Sequence, residues 1–133
     1  MKNNKTILYV DDDEDDRLFL SETIQQISPG TKVVEAENGI QALQYLDELK
    51  HDSERLPCLV VLDLNMPLLD GKQTYERIHD DPLLHKLPVI ILTSSQNPND
   101  KAFFKKRGLE LVLKPVNISY MNIIAKDFLS YCE

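Results

Sequence analysis

The stretch Leu59-Val60-Val61-Leu62-Asp63-Leu64-Asn65-Met66-Pro67-Leu68-Leu69-Asp70-Gly71 decides the fold. Its first four residues form an unbroken aliphatic run, the signature of a strand buried on both faces, as a central strand of a parallel sheet is. The run stops at an acid. Met66-Pro67 and Asp70-Gly71 then break the chain into a loop, and Thr74 to Ile78 continues as a helix.

The same unit of strand, polar end and helix recurs on either side. Upstream, Ile7-Leu8-Tyr9-Val10 is a compact apolar run that stops at Asp11-Asp12. Leu20, Ile24 and Ile27 follow at the spacing of one helix face, and Pro29-Gly30 ends that helix. Lys32-Val33-Val34-Glu35-Ala36 is a weaker strand, after which Asn38 caps a helix with Leu43, Leu46 and Leu49 on its inner face. Downstream, Asp81-Pro82 opens a connector to Pro88, and Val89-Ile90-Ile91-Leu92 is a strand ending in Thr93-Ser94. Asn97-Pro98 reads as an N-cap with proline at the first helical position. Gly108 closes that helix, Leu111-Val112-Leu113 runs into Lys114-Pro115, and Asn117 caps a last helix through Met121, Ile124 and Phe128. Strand and helix alternate five times, which predicts an α/β three-layer sandwich: a parallel sheet with helices on both faces.

Composition bounds the function. A chain of 133 residues fits one domain and can bury a core without help from disulfides or a structural metal. A net charge of -7 argues against nonspecific nucleic-acid binding, which needs a basic field. No apolar run approaches the ~18 residues of a membrane span, and Met1-Lys2-Asn3-Asn4-Lys5 holds no apolar signal region. Cys58 and Cys132 lie far apart without CxxC spacing and read as separate thiols of a reducing cytosol, so a cytoplasmic protein is expected.

The polar residues at the strand ends carry the chemistry. Ligands of open α/β sheets bind at the carboxyl ends of strands, where strand order reverses. In the order 2-1-3-4-5 the first and third strands are neighbours, about 4.8 Å apart, and Asp11, Asp12 and Asp63 crowd together. Like charges at that range repel or raise pKa values, and a hard divalent cation such as Mg²⁺ relieves the conflict. A carboxylate is a weak but competent nucleophile toward a phosphoryl group, giving an acyl phosphate. Lys114 and the cation neutralise charge on the phosphoryl oxygens, and Thr93 can donate to one of them.

Val10-Asp11-Asp12, Leu62-Asp63-Leu64-Asn65-Met66-Pro67, Asp70-Gly71, Leu92-Thr93-Ser94 and Leu113-Lys114-Pro115 together resemble the motif set of response-regulator receiver domains, in order and spacing over nearly the whole chain. The resemblance implies a flavodoxin-like (βα)5 fold filling residues 1–133 as one receiver with no effector domain after it. It implies Asp63 as phospho-acceptor, with Asp12 and Asp63 as direct metal ligands, Asp11 acting largely through water, and the Asn65 carbonyl completing the set. It further implies Lys114 as phosphoryl partner, a cis Lys114-Pro115 bond, and Thr93 as the switch hydroxyl. The protein would then be a Mg²⁺-dependent switch rather than a turnover enzyme. A sensor histidine kinase would charge it, and a downstream protein target or phosphotransfer protein would read it, with the chain a monomer or weak homodimer. Asn65 and Ser95 would influence the hydrolytic water. Long connectors, 50–57 and 79–88, resemble those of receivers that pair with phytochrome-like kinases.

Other readings stay open. One is a pseudo-receiver that never takes phosphate; another is a small Mg²⁺-dependent phosphohydrolase. Asp11, Asp13, Asp15 and Glu22 occupy positions of a calcium loop, but Asp16 stands where that loop needs glycine. Asp11 and Asp13 also resemble the start of haloacid-dehalogenase-type phosphatases, with Asp15 in place of Thr or Val. The later acids of the run fit the N-terminus of the first helix through its dipole. His51, His79 and His85 read as surface residues, and Lys101, Lys105, Lys106 and Arg107 as a solvated basic face or a docking surface for an acidic partner. Leu111 stands where receivers carry Phe or Tyr, so either another side chain reports phosphorylation, with Tyr120 or Phe104 the candidates, or the readout is unusual; Tyr120, Met121 and Tyr131 are candidates for dimer contacts.

Overall fold

The computed structural model describes residues 5–133, so the reading of Met1–Asn4 as free of a signal region lies outside the described residues. Five units follow one another: β1 (Thr6–Val10) and α1 (Glu14–Ile27), β2 (Lys32–Ala36) and α2 (Gly39–Leu49), β3 (Leu59–Leu62) and α3 (Gly71–Asp80), β4 (Val89–Thr93) and α4 (Pro98–Lys106), β5 (Leu111–Leu113) and α5 (Ile118–Leu129). The strands form one parallel sheet in the order β2-β1-β3-β4-β5. This is the flavodoxin-like architecture that the resemblance implied, with the layers that the alternation of strand and helix predicted.

Burial follows strand position. Every residue of β1, β3 and β4 is buried, whereas the edge strands β2 and β5 leave residues exposed. Alternate side chains of the central strands feed two cores. Leu8, Val10, Val60, Leu62 and Ile91 pack with Ala42, Leu46, Tyr75, Ile78 and Phe104 on one side. Ile7, Tyr9, Leu59, Val61, Ile90 and Leu92 pack with Leu20, Ile24, Met121, Ile124 and Phe128 on the other. The first core lies under α2, α3 and α4, the second under α1 and α5.

Local side chains set where the helices begin. Asp13, Asn38, Asp70, Asn97 and Asn117 each accept a backbone N–H of the first turn, satisfying donors that the helix leaves unpaired. The third helix starts at Gly71, earlier than the apolar spacing indicated, because Asp70 and Gln73 form a reciprocal capping box. Gly71 is required there: a Cβ at this position would lie 2.3 Å from the Asp63 carbonyl oxygen and 2.8 Å from Leu64 Cα. The start of α3 is thereby pressed against the residue that ends β3.

Two expectations are corrected. Cys58 and Cys132 are not separate thiols but are joined in a disulfide across 74 residues of sequence, with their Cα atoms 5.2 Å apart. The reason is topological: α5 runs back along the sheet and brings the short 3-10 turn Ser130–Cys132 to the start of β3. The Lys114–Pro115 bond is trans, since the described residues contain no cis peptide; trans is the ground state of an X–Pro bond by roughly 0.5–1 kcal/mol. No helix among the described residues is long and apolar enough to cross a membrane.

Candidate functional site

Ladder hydrogen bonds carry the sheet's register past the strand ends. Asp63 N–H donates to the Val10 carbonyl over 2.9 Å, Asp11 N–H to Ala36 over 3.0 Å, and Lys114 N–H to Thr93 over 2.9 Å. The residues that close β1, β3, β4 and β5 therefore share one edge of the sheet.

Asp11 is wholly buried and fully engaged. Its Oδ1 accepts the Asp13 N–H over 2.9 Å, and its Oδ2 accepts the Tyr9 hydroxyl over 2.7 Å and faces Lys114 Nζ at 2.7 Å. Arg17 donates to the Asp11 carbonyl over 2.7 Å and is itself steadied by Glu35 at 3.2 Å. A charged aspartate without solvent is tolerated because each oxygen has a donor. Asp12 sits exposed at the rim.

Asp63 is buried, its Oδ1 accepting the Leu64 N–H over 2.8 Å and its Oδ2 lying 3.4 Å from Lys114 Nζ. Burial, and then the charge of Asp11, push its carboxyl up to about 6, against the pull of Lys114, the Leu64 N–H and the Thr93 hydroxyl. Burial also works against the Lys114 ammonium, but its hydrogen bonds to Asp11 and Asp16 and the nearby carboxylate charges outweigh that and hold its pKa above the ordinary lysine value. Burial and Asp11 likewise hold the Tyr9 phenol protonated well above its usual range.

Carboxylate oxygens of Asp11, Asp12 and Asp63 lie within 4.8 Å of one another. Asn65, two residues after Asp63, is exposed, and among the described residues its carbonyl accepts no backbone hydrogen bond. Three carboxylates form a set of hard oxygen donors, which fits a small divalent cation. The calcium-loop set does not assemble: of Asp11, Asp13, Asp15 and Glu22, only Asp11 joins this cluster, while Asp13 caps α1. Thr93 is fully buried and its hydroxyl approaches Asp63 while accepting the Ser95 N–H over 3.1 Å. The Ser95 hydroxyl donates to Asp100 over 2.7 Å, and Lys72 grips the same carboxylate at 2.7 Å.

The sequence-named residues Asp11, Asp12, Asp63, Thr93 and Lys114 thus meet, and Asn65 follows Asp63 by two residues in the loop after β3. Phe104 is fully buried in the core against Tyr75 and Phe103, and Tyr120 stands 46% exposed on α5. His51, His79 and His85 are exposed. Sequence reasoning missed two members of the cluster. Tyr9 reads from the sequence as strand filler, although it is the one residue of β1's apolar run with a polar tip. Asp16 reads from the sequence as one of the acids that suit the dipole of the first helix, yet its Oδ2 lies 2.7 Å from Lys114 Nζ.

Comparisons with known proteins agree with this geometry. The family model "Response regulator receiver domain" matches residues 7–126. Response regulator Rcp1 of Synechocystis is 30% identical over 97 residues, covering 72% of this chain and 66% of that protein. The phosphorylated cyanobacterial phytochrome response regulator RcpA superposes with a TM-score of 0.81 at 27% identity, covering 97% of this chain and 94% of that one. The Mn²⁺-bound form of Rcp1 gives 0.80 at 25% identity, covering 97% and 95%. Of two further curated relatives the chain spans 24% and 30% of the length.

Proposed function

The chain belongs to the response-regulator receiver domain family, and from that premise we propose that Asp63 accepts a phosphoryl group from a sensor histidine kinase, with Mg²⁺ held by Asp12, Asp63 and the Asn65 carbonyl and with Asp11 behind them. The family works as a signalling switch of two-component systems rather than as a turnover enzyme. One observation carries the reading: a buried carboxylate at the end of β3 has a lysine ammonium, a threonine hydroxyl and two further carboxylates around it.

The chemistry follows from those groups. An Asp63 carboxylate oxygen attacks phosphorus, the bond from phosphorus to the donor histidine nitrogen breaks, and the nitrogen keeps the electron pair. With its pKa near 6, Asp63 is mainly ionised at neutral pH and able to attack. Bound Mg²⁺ supplies charge neutralisation on the phosphoryl oxygens. Lys114 and Thr93 already face Asp63, so each can turn a donor to a phosphoryl oxygen without a large rearrangement. The added charge of about -1.5 to -2 draws both toward it and biases the face built by α4, β5 and α5, through which a partner protein reads the state. With Phe104 locked in the core, Tyr120 is the better placed of the two aromatic reporters.

The acceptor can be identified chemically. Borohydride reduces an aspartyl phosphate to homoserine, so protein charged with acetyl phosphate and Mg²⁺, then reduced and digested, is expected to carry homoserine at position 63. Homoserine at position 11 or 12 instead, or at no position, contradicts the proposal.

A further inference from the structure

Lys114 has more partners than the reaction requires. Its Nζ lies 2.7 Å from Asp11 Oδ2, 2.7 Å from Asp16 Oδ2 and 3.4 Å from Asp63 Oδ2. The ammonium donates hydrogen bonds to Asp16 and Asp63 and pairs with Asp11, and the two short contacts do not go to the acceptor.

The three acids differ in what they lose if the lysine moves. Asp11 is fully buried, and without Lys114 its Oδ2 would keep only the Tyr9 hydroxyl. Asp63 is also buried and is the residue toward which the lysine has to turn. The Asp16 side chain is 39% exposed and stands in the first turn of α1, where water and the helix N-terminus can replace the lost ammonium. Asp16 is also released from the usual duty of its position. An acid at the third residue of a helix commonly reaches back to the N–H of the capping residue. Here that residue is Asp13, and its N–H is already taken by Asp11 Oδ1 over 2.9 Å. Asp16 therefore points at Lys114, 98 residues away in sequence.

We infer that Asp16 is a positioning residue that holds Lys114 in the resting state and gives it up when the phosphoryl group arrives. The inference rests on the reading of Asp63 as acceptor and Lys114 as phosphoryl partner. Asp16 is a brake: its bond to Lys114 exists before transfer and is lost in it. Removing that bond raises the resting state relative to the transition state and leaves the phosphorylated form nearly untouched.

The test is Asp16→Asn with acetyl phosphate and Mg²⁺, following uptake and decay of the phosphoryl group by intact mass. Uptake is expected to be about two- to fivefold faster, the range of one partly exposed ion pair, with decay within about twofold of wild type. The gain disappears in a Lys114→Ala background. In chelator, unfolding of the four proteins shows the same coupling between Asp16 and Lys114, a reading that survives if Lys114→Ala is too slow to label. Mn²⁺ binding, followed by paramagnetic resonance on unphosphorylated protein, stays within about threefold of wild type. Unchanged uptake, an equal gain with and without Lys114, or an about tenfold loss of Mn²⁺ affinity overturns the inference, the last by making Asp16 a metal partner. Wild type that takes up no phosphoryl group, or Asp63→Asn that still does, strikes the parent reading and this inference with it.

Discussion

The hydroxyl of Tyr9 donates a 2.7 Å hydrogen bond to Asp11 Oδ2 from inside the core that α1 and α5 close over the sheet. A strand residue two positions before the acid thus ties the buried end of the cluster to the packing of two helices. Tyr9→Phe keeps the ring and removes only the donor. The expected cost is about 1.5–3 kcal/mol, the range for a hydrogen bond to a charged group, read by urea unfolding in chelator at neutral pH. A change below about 0.5 kcal/mol would mean that Lys114 and the Asp13 N–H hold Asp11 without Tyr9.

The raised carboxyl of Asp63 makes stability depend on pH in a definite direction. Its ordinary value of 3.8 rises to about 6 in the fold, by burial first and by Asp11 second. The folded protein then binds this proton more tightly than the unfolded chain. The stability that Asp63 contributes falls as pH rises through that window, and its cost is fully present above it. In chelator, Asp63→Asn is expected to stabilise the protein at pH 7 by about 1–3 kcal/mol and to give little benefit near pH 4. Chemical denaturation at the two pH values checks this; an equal effect at both, or destabilisation at pH 7, contradicts it.

Gly71 couples the third helix to Asp63. A methyl group there would sit 2.3 Å from the Asp63 carbonyl oxygen, with backbone rather than a flexible side chain in the way. Gly71→Ala is expected to cost about 2–4 kcal/mol and to slow phosphoryl uptake by shifting Asp63. Denaturation and the rate with acetyl phosphate test both parts, and a variant as stable and as fast as wild type would show that α3 can move away freely.

Much of this architecture was legible in the sequence because its causes are local. Leu59-Val60-Val61-Leu62 and Lys32-Val33-Val34-Glu35-Ala36 have the bounds of β3 and β2. Asn38, Asn97 and Asn117 act as the caps that their types indicate. The cluster of Asp11, Asp12, Asp63, Thr93 and Lys114 was readable because parallel strands leave their carboxyl ends on one edge. What was missed depends on partners distant in sequence. Nothing around Asp16 announces Lys114, and nothing around Tyr9 says that its hydroxyl meets an acid rather than solvent. The pairing of Cys58 with Cys132 needs the return path of α5, which no short motif encodes. The early start of α3 is a different case, since Asp70 and Gln73 are a capping box legible in the sequence, where apolar spacing alone points to a later start.

The central claim is that Asp63 takes a phosphoryl group in a Mg²⁺-dependent reaction, and intact-mass spectrometry after incubation with acetyl phosphate tests it most directly. The account predicts a gain of one phosphoryl group in wild type with Mg²⁺, none in chelator, and none in Asp63→Asn. A gain that persists in Asp63→Asn would contradict it, as would a wild type that stays unmodified with Mg²⁺ both with acetyl phosphate and with a phosphorylated histidine kinase.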